Sequence, residues 1–218
     1  MADVIRWEKE VEVKEHLLFP TIIHEFDLGL DRYEESNMIN YIEQGREDVD
    51  LYQTCDDLHV LSFFSTFRDN ILSINKTILT SLGYEYEGLT ITNMWGNIMR
   101  GGANHPPHTH SNNFLSGVYY LKTEIDKEAY FGDTAPIEFF DPRPQASIFI
   151  PRRLKNNFYN SHKVQFDSTQ NRGFIFPSWL QHWVGPNHYT RISISWNIQV
   201  NGHYGEPRTL QNAYIKKE

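Results

Sequence analysis

The apolar positions of this chain change their spacing near residue 88. Before it they recur every three or four residues, as on helices; after it they alternate or cluster in short runs, as on strands. Residues 16–30 mix β-branched and aromatic positions around Pro20, which predicts an edge strand near 20–26, with His24 a half-exposed strand residue. From Asp31 to about Glu47, Tyr33, Met38, Tyr41 and Ile42 fall near helical spacing, with acids in the first turn where the helix dipole favours them. Residues 48–60 read as a loop carrying Cys55 and His59. A clearer helix runs over 66–84, where Phe67, Ile71, Ile74, Ile78, Leu79 and Leu82 form one stripe and Gly83 supplies a stop.

The strands predicted beyond Gly88 cover Leu89 to Met99, His108 to Lys122, Pro136 to Asp141, a stretch at Phe166, Gly173 to Trp179, His182 to Val184 and Tyr189 to Val200. Turns fall at Arg100-Gly101-Gly102, Asn171-Arg172-Gly173 and Gly185-Pro186-Asn187. The run Phe114 to Leu121 is apolar on both faces, as expected of a strand inside a sandwich or barrel. Residues 150–161 show no period and read as a surface loop or a lid. The pattern predicts a mainly β fold with flanking helices: a double-stranded β-helix, the cupin-like jelly roll, with N-terminal helices packed on one sheet. One domain over 1–218 is expected, made of a strand and helical layer (1–88), a jelly-roll core (89–200) and a tail (201–218).

Composition narrows the function classes. Aromatic residues make up 14% of the chain, beside 13 glycines and 10 prolines, which suits many short strands joined by tight turns. The formal net charge of −8 gives no general attraction to nucleic acid or to an anionic membrane. A single cysteine, Cys55, excludes an intrachain disulfide framework and suits a reducing compartment. No apolar run approaches the ~20 residues of a membrane span, so a soluble, intracellular (cytoplasmic) protein is expected. The exposed helices and tail could support a homodimer.

The candidate chemistry begins at Asn104-His105-Pro106-Pro107-His108-Thr109-His110. The prolines disfavour a helix, so the chain should leave Pro107 extended and run into a strand. Residues two apart on a strand share a face, which would let His108 and His110 reach one metal ion. A third ligand must come from elsewhere, and His182 is the best placed. Imidazoles suit iron, zinc, copper or nickel. Arg191 adds more information. Inside a barrel its guanidinium must find an anion, and Ser193, two residues on, shares its strand face. Together they match a carboxylate, so the site reads as one for a small dicarboxylate that chelates the metal at its other end.

The stretch from Trp95 to Asn197 resembles the iron(II)- and 2-oxoglutarate-dependent dioxygenases, especially a bacterial and phage group related to the prolyl hydroxylases. The motifs are Asn93-Met94-Trp95-Gly96-Asn97, His108-Thr109-His110, Ser116-Gly117-Val118-Tyr119-Tyr120-Leu121, Phe139-Phe140-Asp141-Pro142-Arg143, Phe176-Pro177-Ser178-Trp179-Leu180-Gln181-His182 and Arg191-Ile192-Ser193-Ile194-Ser195. The resemblance implies that His108 and His182 bind iron(II), and that Arg191 with Ser193 and Tyr120 holds the far carboxylate of the co-substrate 2-oxoglutarate. At His110 the superfamily usually places Asp or Glu. Either His110 is the third ligand, or Asp141 or Asp133 supplies a carboxylate from a neighbouring strand, or neither binds and the position admits water or halide.

The implied activity is hydroxylation of a peptidyl or free amino acid, as in prolyl hydroxylases, with decarboxylation of 2-oxoglutarate to succinate. The expected partner is a small molecule or peptide, without nucleic acid or membrane. Trp95, Trp179 and Trp183 could shape the substrate entrance or pack in the core, and Arg143 could bind an anionic substrate or pair with an acid. Two other classes compete: a three-histidine cupin-type metalloenzyme that uses no oxo-acid, and a jelly-roll binding module. Arg191 counts against the first, because such a site has no need of a carboxylate clamp.

Overall fold

In the computed structural model, which describes residues 5–6, 12–45, 48–124 and 135–216, the helices form where the apolar stripes predict them. The Asp31 side chain accepts from the Tyr33 and Glu34 backbone N–H groups, both at 2.8 Å, and so starts α1 (Arg32–Gln44). Helix α2 (Ser65–Ser81) buries Phe67, Ile71, Ile78 and Leu79, and Gly83 follows its end at φ +75°.

The strands are β1 (Ile5–Arg6), β2 (Glu12–Val13), β3 (His24–Phe26), β4 (Leu51–Gln53), β5 (Gly88–Met99), β6 (Ala103–His108) and β7 (Leu115–Thr123). They continue with β8 (Ile137–Phe140), β9 (Lys163–Phe166), β10 (Gly173–Pro177), β11 (His182–Asn187), β12 (Arg191–Tyr204) and β13 (Ala213–Ile215). One sheet has the order β3-β10-β7-β12-β5-β4, with β13 folded back onto the end of β12; the other has the order β6-β11-β8-β9, and β1 pairs with β2 apart from both. All the ladders are antiparallel. This is the expected jelly roll with helices on one sheet.

Two apolar layers follow from strand alternation. Tyr119 and Trp196 face the helices, in a layer with Ile42, Phe67, Ile71 and Ile98. Tyr120, Val118, Phe139, Phe174 and Phe176 face the other way, into the space between the sheets. That division explains why the run around Tyr119 and Tyr120 is apolar on both faces.

Several expectations change, among them the turn expected at Gly185-Pro186-Asn187, which lies inside β11. Residues 51–53, read as loop, form β4, because they pair with the edge of β5. His108 does not begin a strand running to Lys122: it ends β6, and residues 109–114 turn before β7. The prolines 106 and 107 lie inside β6, where an edge strand tolerates the missing donors. The tail is partly ordered by the β12–β13 pairing.

Gly117 lies in β7 against the Trp196 ring and the Phe174 backbone. A Cβ there would collide with the Trp196 ring and lie 2.9 Å from the Phe174 carbonyl oxygen. Gly117→Ala should therefore destabilise the protein by about 1–3 kcal/mol through overpacking, read as a lower urea midpoint with an unchanged slope.

Candidate metal centre

His108 and His182 are opposite each other in the β6–β11 ladder, at the end of one strand and the start of the other. His110 lies two residues past β6, off the ladder. Its backbone N–H donates to the Ser178 carbonyl at 2.9 Å, in the turn that leads to His182. That turn is itself tied down: the Ser178 N–H donates to the Phe114 carbonyl at 3.1 Å. The Ser178 hydroxyl meets Ser116 Oγ at 2.7 Å, which in turn donates to Asn197 Oδ1 at 2.8 Å. A buried polar chain thus fixes His110 against His182 without a strand beneath it.

One ring nitrogen from each of His108, His110 and His182 comes within 4.8 Å of the other two. His108 Nδ1 is 2.8 Å from the Pro106 carbonyl and His182 Nδ1 is 2.9 Å from that of Leu180. A carbonyl can only accept, so both Nδ1 atoms carry the proton and both Nε2 atoms present a lone pair. His110 Nε2 and His182 Nε2 are 3.3 Å apart. Burial holds His110 down to about 4, with a smaller contribution from the nearness of the His108 ring, since two charged imidazoles would repel. Burial likewise takes His182 down to about 3, against the opposing effect of its bond to Leu180. Converging neutral imidazoles are the donor set that a divalent transition metal requires.

His105 joins the same cavity, although nothing in the sequence assigned it a role. By simple alternation His105 and His108, three apart, face opposite ways. Pairing of His108 with His182 but of His105 with Val184 places one extra residue in β6, and this bulge turns both rings inward. Burial, then the Arg191 charge, lowers His105 to about 4.

Deeper in the cavity, which encloses about 90 Å3, Arg191 is 2% exposed. Its Nη1 donates to the Ala135 carbonyl at 2.9 Å and its Nη2 reaches Met99 Sδ at 2.7 Å, while Nε is buried without a partner. The guanidinium lies over the Tyr120 ring, 5.4 Å from its centroid. No carboxylate among the described residues forms an ion pair with it. Burial lowers its pKa from the ordinary value, against a smaller opposing effect from Tyr120. Ser193 and Tyr120 line the same cavity and are opposite each other, because a bulge skips Leu121; a regular ladder would bring Leu121 opposite Ser193.

Other residues fall on either side of the expectation. Trp95 lines the cavity, with its ring 6.2 Å from that of His110 and its Nε1–H donating to Asn97 Oδ1 at 3.1 Å. Gln53 Nε2 donates to the same oxygen at 2.7 Å, from the strand that sequence reading missed. Trp179 is 57% exposed and lies outside the cavity lining. Trp183 is turned to the opposite face from its neighbour His182, where it donates to Glu138 and lies under Lys163. Asp141 is not in the histidine cluster: Arg143 holds its carboxylate through two 3.0 Å bonds, which keeps it below its ordinary pKa. Asp133 lies outside the described residues. Cys55 is exposed, and His24 is a half-buried residue of β3.

The lowered histidine values have a consequence for stability. Between pH 6.5 and about 3–4 the unfolded chain binds protons at His105, His110 and His182 that the folded chain does not. Stability is therefore full above about pH 6.5 and falls as the pH drops through that window. Metal-free protein should show a thermal midpoint that falls steadily from pH 6.5 to 4, and His182→Gln should flatten the slope; scanning fluorimetry across a buffer series measures both.

Residues 93–197 match the model of a family described as "Putative 2OG-Fe(II) oxygenase". No curated protein matches the chain. Among solved structures the fold is similar to a Pseudomonas putida prolyl-4-hydroxylase, at TM-score 0.59 and 11% identity over 84% of this chain and 94% of that one. It is also similar to a viral collagen prolyl hydroxylase from Paramecium Bursaria Chlorella virus-1, at TM-score 0.54 and 11% identity over 81% and 94% of the two chains. The epimerase SnoN of nogalamycin biosynthesis gives TM-score 0.59 and 11% identity over 87% and 81%. The matched stretch contains all three clustered histidines together with Arg191, so the similarity to the 2OG-Fe(II) oxygenases falls on the residues that line the cavity.

Proposed function

We propose that this protein hydroxylates a peptidyl or free amino acid, prolyl hydroxylase-like, and converts 2-oxoglutarate and dioxygen to succinate and carbon dioxide as it does so. In this reading His108, His110 and His182 hold iron(II), and Arg191 with Ser193 and Tyr120 receives the far carboxylate of 2-oxoglutarate. The observation that carries it is the buried, incompletely partnered guanidinium of Arg191 in the cavity that the three histidines also line. Such a cation at such depth is costly until an anion arrives, and a dicarboxylate reaching between it and the histidines meets both needs.

Iron(II), when bound, supplies the activation of oxygen and the oxidation of the substrate C–H bond. The chain's own residues bind and orient. The carbonyls of Pro106 and Leu180 keep His108 and His182 in the tautomer that offers Nε2 to the ion. His110 in place of a carboxylate adds no negative charge, which leaves the ion's charge to be balanced by an anionic ligand. Arg191 is already oriented by Ala135 and Tyr120, so little ordering remains when the carboxylate arrives. Trp95 and Asn97, fixed by Gln53, form the wall beside His110 and help to exclude water there. Kinship of fold with prolyl hydroxylases supports an amino-acid or peptide substrate.

Anaerobic titration of the iron(II) protein with 2-oxoglutarate tests the reading through the visible metal-to-ligand charge-transfer band. Wild type should develop the band. Arg191→Ala should need at least about 100-fold more co-substrate, as expected for loss of a buried charge-assisted pair. His110→Ala should lose iron affinity by about 10-fold or more. A protein that holds iron yet shows no band would favour the three-histidine, cupin-type reading instead.

A further inference from the structure

Residues 141–162, between β8 and β9, form a second concavity that the metal site does not use. It encloses about 590 Å3, a size typical of ligand sites. Its position is set by the ladder. Phe139 is opposite His182, so Asp141, on the rim, lies about 7 Å further along β8, at the histidine end of the sheet. The Phe140 N–H donates to the Gln181 carbonyl and the Asp141 N–H to that of His162, which ties both ends of the loop beside the residue that precedes His182.

The lining is unlike the rest of the surface. Arg143, Arg152, Arg153 and Lys155 stand against one acid, Asp141, in a chain whose net charge is −8. Arg143 is paired with that acid. Among the described residues, Arg152, Arg153 and Lys155 form no ion pair, and the enclosed Nε of Arg153 has no acceptor. Between these cations the loop exposes apolar side chains: Phe149 is 94% exposed, and Leu154 and Tyr159 are also open to solvent. The far end of the loop is ordered by its own bonds, since Asn157 Oδ1 accepts from the Tyr159 and Asn160 N–H groups and Asn160 Nδ2 donates to the Lys155 carbonyl at 3.0 Å.

We infer that this groove is a substrate subsite for an acidic peptide, whose carboxylates pair with Arg152, Arg153 and Lys155 while an apolar neighbour covers Phe149 and Leu154. The inference rests on the oxygenase reading for what happens at the metal. A free amino acid is too short to fill the cavity and also reach this groove. At about 3.5 Å per extended residue, the acidic side chains fall roughly two or more residues from the position that is oxidised. A nucleic acid would meet the same cations but also the acidic remainder of the surface, and would leave the exposed apolar groups uncovered.

The test uses full-length protein loaded anaerobically with iron(II) and 2-oxoglutarate, and fluorescein-labelled decapeptide pools with a central proline. The flanks combine Leu and Phe with Asp and Glu, with Lys and Arg, or with Ser and Gly. Fluorescence anisotropy should show the acidic pool binding at least about tenfold more tightly than the others, with the advantage shrinking as salt rises. Combined Arg152→Ala, Arg153→Ala and Lys155→Ala substitution should abolish that advantage and leave the charge-transfer titration with 2-oxoglutarate unchanged. The Arg152→Ala, Lys155→Ala pair, both exposed, gives the same comparison if the triple variant unfolds early. Equal binding of the three pools, no effect of the substitutions, displacement by millimolar inorganic phosphate, or tighter binding of an oligothymidylate would each overturn the proposal. Absence of the charge-transfer band in wild type would instead overturn the oxygenase reading, while the anisotropy still decides the groove.

Discussion

Three imidazole rings meet at one point of this fold only because the backbone around them is held in place. With His182 Nδ1 donating to Leu180, His182 Nε2 is an acceptor, and in the metal-free chain His110 Nε2 is placed to donate to it at 3.3 Å, a contact that an ion would replace. The hold comes from outside the rings. The β6–β11 ladder puts His108 opposite His182, and the Ser178 carbonyl takes the His110 N–H. Ser178 is in turn held through Ser116 to Asn197 on the central strand of the larger sheet. The centre is therefore supported by both sheets, and its geometry is prepared before any ion binds.

Arg191 poses the complementary problem at the other end of the cavity. Its charge is buried beneath the layer that contains Tyr120 and Met99, with a carbonyl, a thioether sulfur and an aromatic face as its company. None of these neutralises it. A fold that keeps such a group gives up some stability to hold a waiting counter-charge, which is common where binding an anion is the purpose of the site. The histidines and the arginine together make a cavity cationic when loaded and polar at both ends, closed laterally by Val118, Ile137 and Phe176.

Much of this was legible along the chain. Helical spacing located both helices, alternation located most of the strands, and His108, His110, His182, Arg191, Ser193 and Tyr120 all line the cavity that the structure forms. The misses have a shared cause. His105 received no role because only a bulge, which alternation does not foresee, turns it into the cavity, and β4 went unread because a three-residue edge strand has too few positions to show a period. Trp183 was open between the entrance and the core, and its place next to His182 on a strand sends it to the other face.

Sequence alone settled which chemical groups the cavity would hold, because imidazole and guanidinium have few uses inside an apolar sheet and their order along the chain restricts which strands carry them. What tertiary structure decided was register. A bulge in β6 admits His105, a bulge opposite Ser193 admits Tyr120 in place of Leu121, and a backbone bond to Ser178 stands in for the strand that His110 lacks. Each depends on one residue of slip between strands distant in sequence. Local propensity has no means of expressing such a slip, since the pairing energy that selects it exists only once both strands are in place.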